Sequence, residues 1–288
     1  MILASRCLVC AQNVALQSAR FVTHDEAPLK EVVFRMMDVL KDARPRNVET
    51  FLVGLVTMEV IKEVTGCGDP YKAFKEKSTL AAKRLVPLVA DAMKKSDDPL
   101  MTACRAAVMG NYLDVVADGI QDMVRESTFT NLRFAVNDFD QLRAALPHAK
   151  KIVYITDNAG EVFLDRLFIE GMLAEKKDAE VDYFIKGFPF LSDALYEDIV
   201  DAHMEEIATV KTIPLIEPIE MSRGYIDKLF EGFVEVARQA DLVVAKGQAN
   251  FELLPSMDVS GFYLFMHKCP VIAEKEGAQL GEGAICKR

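Results

Sequence analysis

Asp157 and Asn158 stand side by side between an apolar, β-branched run, 152–155, and a stretch in which Val162, Leu164, Leu167, Phe168 and Met172 fall near helical spacing. The first pattern predicts a short buried strand and the second a helix, so 156–160 is the turn between them. In open α/β sheets ligands collect at such strand ends. Helix N-terminal amides there favour anions, and the hard oxygens of Asp and Asn suit divalent cations. The same residues also serve as ordinary helix caps, with Gly160 easing the turn. The local pattern leaves both readings open.

Two further strand ends carry polar groups. The run 181–185 ends in Lys186–Gly187–Phe188–Pro189, followed by Ser192–Asp193. Asp193 either caps a helix starting near Ala194 or, if the first two strands are neighbours, joins Asp157 and Asn158 in a shell for Mg²⁺ or Mn²⁺. The run 241–245 ends in Lys246–Gly247–Gln248–Ala249–Asn250–Phe251–Glu252. A lysine beside a glycine can present its ammonium to a phosphate, although a solvated turn lysine fits the same string. The first turn lacks GxGxxG and no GxxxxGK[ST] is present, which argues against the usual nucleotide cradles.

Weaker signals lie in the first half. Asn111 and Asp114 of Gly110–Asn111–x–x–Asp114 share a helix face, or simply follow a helix start after Gly110. Cys7–x–x–Cys10 supplies half of a four-ligand zinc site; Cys67, Cys104, Cys269 and Cys286 form no second such pair, so packed thiols are the preferred reading. The four histidines are dispersed.

Composition narrows the field. The 288 residues are 51% hydrophobic, enough for a large core and two domains. No apolar run of membrane-spanning length occurs, the N-terminal apolar run is too short for a secretory signal, and scattered cysteines fit a reducing compartment, so a cytoplasmic protein is expected. Residues 1–150 carry 20 Lys+Arg against 19 Asp+Glu, and the remainder 14 against 25, which together give the net −10. That balance argues against nucleic-acid binding; an acidic half that handles phosphate would need a cation to offset repulsion.

Helical periodicities dominate the first half. They run over 28–40, from Asn47 through Val60, over 71–78 and 80–95 with a kink at Pro87, and over 100–110 after Asp97–Asp98–Pro99. Near Pro147 the character changes: strand-like runs alternate with helical stretches at 161–174 and 225–239, and 262–266 and 270–273 offer late strands. The predicted fold class is α/β. An all-helical domain (1–147) precedes a Rossmann-like three-layer α/β/α domain (148–288) with a mostly parallel sheet.

Taken together, these residues resemble the damage-control phosphatase family, long known as domain of unknown function number eighty-nine. The resemblance rests on Asp157–Asn158–Ala159–Gly160–Glu161 with Asp165–Arg166, and on Lys246–Gly247–Gln248–x–Asn250–Phe251–Glu252. It extends to Gly110–Asn111–x–x–Asp114, Lys268–Cys269–Pro270 and Cys7–x–x–Cys10, as in the stand-alone prokaryotic branch. It implies a divalent metal (Mn²⁺, Co²⁺, Ni²⁺ or Mg²⁺) held by Asp157, Asn158 and Asp193, and hydrolysis of small phosphomonoesters such as sugar phosphates. By the same resemblance Lys246 binds the phosphoryl group, Asp157 and Lys246 are the catalytic pair, and Asn111, Asp114, Gly160, Glu161 and Asn250 border the substrate. One departure stands out: Ser192–Asp193–Ala194–Leu195 stands where the family tends to show Asn-Asp-Ala-Thr, keeping the carboxylate and the alanine but with Ser for Asn and Leu for Thr. Two rivals are an S-adenosylmethionine-dependent carboxyl methyltransferase, which would bind that cofactor tightly without metal, and a non-catalytic phosphometabolite-binding module, which would release no phosphate.

Overall fold

A computed structural model describes residues 3–43, 48–112 and 131–288. Among these residues, five helices come first: α1 (Ser5–Arg20), α2 (Glu26–Ala43), α3 (Thr50–Thr65), α4 (Lys72–Lys95) and α5 (Pro99–Gly110). There follow β1 (Phe134–Asn137), α6 (Phe139–Ala145), β2 (Lys151–Ile155), α7 (Val162–Glu175), β3 (Glu180–Lys186), α8 (Tyr196–Asp201) and β4 (Thr209–Ile213). The chain closes with α9 (Arg223–Arg238), β5 (Leu242–Lys246), α10 (Gly247–Leu253), β6 (Phe262–Met266), α11 (Pro270–Glu276) and β7 (Gly283–Lys287).

The fold is α/β with one mostly parallel seven-stranded sheet in the order β1-β7-β6-β5-β2-β3-β4. All neighbouring pairs are parallel except β6 with β7. Strand side chains alternate between two cores, as a pleat requires. Ile152, Tyr154, Tyr183, Ile185, Val244 and Leu264 pack with α4, α5 and α7. Val153, Ile155, Phe184, Val243, Tyr263 and Phe265 pack with α1, α2, α3 and α9. Helices of the first half therefore cover both faces of the sheet, giving three layers.

Several expectations change in detail. The run 270–273 is helical, not a strand: Pro270 takes the first helical position, where its missing N–H costs nothing, and Gly277 closes the helix at φ +68°. Strand β1 and helix α6 lie before residue 148, so the sheet begins ahead of the expected change in character. Residues 72–95 form one helix that contains Pro87. Among the described residues, no helix is long and apolar enough to cross a membrane.

Asp98 starts α5, which carries Asn111 at its far end. Its Oδ1 accepts from the Met101 N–H at 3.0 Å, and its carboxylate takes a two-pronged ion pair from Arg143. Arg143 holds the Asp98 carboxyl below the usual range, against the opposing effect of partial burial. A depressed folded-state value means that the stabilisation is present above the unfolded carboxylate value and is lost as pH falls through the folded one. Asp98→Ala should therefore cost about 1 kcal/mol at neutral pH, and the gap between variant and parent in urea denaturation should shrink below about pH 4.

Candidate active site

Strand β2 is central, and the chain leaves it towards β3 but later returns as β5 on its other side. The carboxyl ends of β2 and β5 thus border the crevice that such a reversal opens. Asp157 and Asn158 follow β2 there. The loop after β3 is tied to them by an antiparallel bridge between Asn158 and Asp193. Ala159 N–H donates to Ser192 O at 2.9 Å, and Ala194 N–H donates to Asp157 O at 2.8 Å. The three expected metal ligands are brought together, and all are buried. Asp193 is no helix cap, because α8 begins only at Tyr196.

Two carboxamides lock this turn. The Nδ2 of Asn111 donates to Asp157 Oδ2 at 2.8 Å and to Glu161 Oε1 at 2.6 Å. The Nδ2 of Asn158 donates to the same two oxygens at 3.0 and 2.5 Å. Each amide oxygen is also held: Met266 N–H reaches Asn111 Oδ1 at 3.2 Å, and the Ser192 hydroxyl reaches Asn158 Oδ1 at 2.6 Å. Gly160 lies directly under α4, where an added Cβ would stand 3.0 Å from Ser78 backbone.

Gly247 opens α10 at φ +79°, and a Cβ there would sit 2.0 Å from Asp157 Oδ2. The absence of a side chain lets this backbone approach the carboxylate. Gly247→Ala should cost about 1–3 kcal/mol from the positive φ alone. It should also displace Asp157, so both the denaturation midpoint and the activity of the site should fall together.

Lys246 ends β5 pointing inwards, fully buried. Its Nζ donates to Glu161 Oε2 at 2.5 Å and to Asp165 Oδ1 at 2.7 Å. Asp165 Oδ1 also accepts from the Tyr154 hydroxyl at 2.7 Å. Burial alone would lower the lysine's pKa, yet Asp165 and Glu161 raise it, so the ammonium stays charged. Burial likewise pushes Glu161 up, but Lys246 and Lys268 outweigh it and hold that carboxylate ionised. The expected phosphate-binding lysine is thus the counter-ion of two carboxylates beneath the turn.

The carboxylates of Asp157 and Asp193 are not so well balanced. Burial, then Asp193, then Glu161 push Asp157 well above the ordinary carboxylate range. Burial also raises Asp193, opposed by the ion pair from Lys186 Nζ. Around the turn, Asp157, Glu161, Asp165 and Asp193 are buried with Lys186 and Lys246. Four carboxylates against two lysines leave negative charge out of water, which is costly unless a cation offsets it. Lys268 partly does so from the rim: its Nζ donates to Asn111 O at 2.8 Å, and its charge acts on Asp157, Glu161 and Asp193. Hard oxygen donors and a surplus of buried negative charge fit a divalent cation.

Other expected substrate contacts fall differently. Asn250 lies one layer behind the turn, where its Nδ2 ties Thr156 O at 3.2 Å to Lys246 O at 2.7 Å. Asn111 and Asn250 are both buried and hydrogen-bonded to the protein's own groups, so in this structure they brace the site. Asp114 lies outside the described residues. Sequence reasoning assigned no role to Lys186, Lys268 or Asp165. Lys186 was within reach, since it ends its strand just as Lys246 does.

The chain is similar to known proteins over nearly its whole length. Residues 3–283 match the family model described as "Damage-control phosphatase ARMT1-like domain". An uncharacterised protein of Methanocaldococcus jannaschii is 30% identical, over 98% of this chain and 94% of its own. A damage-control phosphatase of Archaeoglobus fulgidus is 28% identical, over 96% of each chain. The crystal structure of a DUF89 family protein from Pyrococcus horikoshii superposes with a TM-score of 0.79 at 24% identity, covering 100% of this chain and 99% of the other.

Proposed function

Because the chain belongs to the damage-control phosphatase ARMT1-like family, we propose that it is a divalent-metal-dependent phosphatase of small phosphorylated metabolites, sugar phosphates among them. The observation that carries this reading is the surplus of buried carboxylate at the β2 strand end, where Asp157 and Asp193 repel one another beside Asn158. Asp157, Asn158 and Asp193 would hold Mg²⁺, Mn²⁺, Co²⁺ or Ni²⁺, which when bound supplies a Lewis acid for a phosphoryl oxygen and lowers the pKa of a bound water.

The chain's own residues do the rest. Asn111 and Asn158 orient the Asp157 carboxylate through their Nδ2 groups. Ser192 takes one lone pair of Asn158 Oδ1 and leaves the second for a ligand. Lys246 keeps Glu161 ionised and in place, and so acts on the reaction through that carboxylate. Lys268 brings positive charge to the rim, where phosphoryl transfer gathers negative charge on its equatorial oxygens.

The test is released phosphate from a panel of phosphorylated sugars and nucleotides. Protein stripped with a chelator should be inactive, and at least one of Mg²⁺, Mn²⁺, Co²⁺ and Ni²⁺ should restore turnover. Ligand binding with no phosphate released under any of the four metals would replace the enzyme by a binding module.

A further inference from the structure

Gln248 belongs to the motif after β5, yet nothing in the site above uses it. It is the second residue of α10, directly after Gly247, whose backbone approaches the Asp157 carboxylate. Its side chain crosses to the turn between β6 and α11, where Oε1 accepts from the Lys268 N–H and the Cys269 N–H, each at 3.1 Å. Two successive amides thus share the two lone pairs of one carboxamide oxygen. Among the described residues the Nε2 of Gln248 has no hydrogen-bond partner, so the oxygen makes the side chain's hydrogen bonds.

These two amides come where the sheet no longer guides the chain. The His267 N–H still reaches Glu282 O at 2.8 Å, and the Ala273 N–H on Cys269 O at 2.9 Å already belongs to α11. Between them, Gln248 holds the amides of Lys268 and Cys269. From that turn the Lys268 Nζ reaches Asn111 O at 2.8 Å, and the same asparagine donates through Nδ2 to Asp157 Oδ2 at 2.8 Å. Asn111 has a second hold, because the Met266 N–H, still in β6, donates to its Oδ1 at 3.2 Å. Displacing the turn therefore moves the ammonium and leaves the carboxamide in place.

We infer, on the phosphatase reading above, that Gln248 is a positioning residue: by fixing the turn after β6 it aims the Lys268 ammonium at the rim and so sets how tightly the site holds phosphate. It acts only through Lys268. Removing its oxygen leaves two partly buried backbone donors unpaired. Unpaired donors of that kind are costly, and the turn relieves the cost by rearranging, which carries the ammonium off Asn111.

A double-mutant cycle, read by calorimetric binding of inorganic phosphate to the full chain in saturating Mn²⁺, tests this. Lys268→Met removes a charged donor and should weaken phosphate binding about tenfold. Gln248→Met, similar in size but without the acceptor, should weaken it by about three- to tenfold. In the Lys268→Met background Gln248→Met should add nothing, because the ammonium it positions is gone. Gln248→Asn, whose oxygen falls a methylene short of the turn, should follow Gln248→Met, so the result does not hang on one variant folding. Additive losses would mean that Gln248 acts through the general fold and would overturn the positioning role. So would an unchanged phosphate affinity in Gln248→Met, or a parent chain that binds no phosphate. Phosphate release from the substrate panel decides the activity separately. A chain that turns over substrate with additive losses keeps the phosphatase reading and loses this one; the expected cycle without turnover does the reverse.

Discussion

Asp157→Asn is expected to lower phosphate release by about 10²–10³-fold, while the metal-free variant melts no lower than the parent. The two outcomes have one cause. Asp157 is buried beside Asp193 and Glu161, which push its carboxyl well above the ordinary range. Near neutral pH, ionised Asp157 therefore opposes folding, because the charge it would carry freely in the unfolded chain is out of water and next to like charges. Asparagine keeps the shape, keeps one oxygen to accept from Asn111 or Asn158, and removes the charge. What stability gains, cation binding loses. Activity assays at saturating metal, paired with thermal melts in chelator, measure both. Turnover close to the parent's would remove Asp157 from the mechanism, and a sharply lowered melting temperature would show that its charge stabilises the fold.

Lys246→Met should behave in the opposite way. Removing the ammonium leaves Glu161 and Asp165 as buried carboxylates without their counter-ion. Breaking a buried ion pair by deleting one partner costs about 3–5 kcal/mol. In a chain of this size that lowers the melting temperature by roughly 10 °C. Adding Glu161→Gln and Asp165→Asn to Lys246→Met removes the uncompensated charges and should recover most of the loss. Activity should stay low in the triple variant, because Glu161 would no longer anchor the amides of Asn111 and Asn158 as a carboxylate. Urea denaturation of the single and triple variants separates the two effects. If Lys246→Met were as stable as the parent, the lysine would not be holding the two carboxylates in the fold.

The contrast between these two residues shows what a string of residues can disclose. The strands 151–155, 181–185 and 241–245 were legible because strands buried on both faces read as continuous apolar runs. Strands β1, β4 and β7 were not: Phe134–Asn137 is short and half-exposed, and Thr209–Ile213 carries polar residues at the sheet edge. The gathering of Asp157, Asn158 and Asp193 followed from placing neighbouring strand ends side by side, which topology alone decides. The pairing of Lys246 did not follow, because its partners come from the turn and helix after β2, and only packing sets how far Nζ reaches. The same holds for Asn111, which arrives from α5 on the far side of a core and meets Asp157 only once that core has formed.

The order of strands also bears on how the polypeptide is assembled. Strand β1 borders the sheet only through β7, which comes last along the chain and lies between β1 and β6. While the ribosome is still extending the nascent protein, β1 has left the exit tunnel but has no partner to dock against. Its open edge must be shielded, or tolerated, until β7 has been made and has emerged.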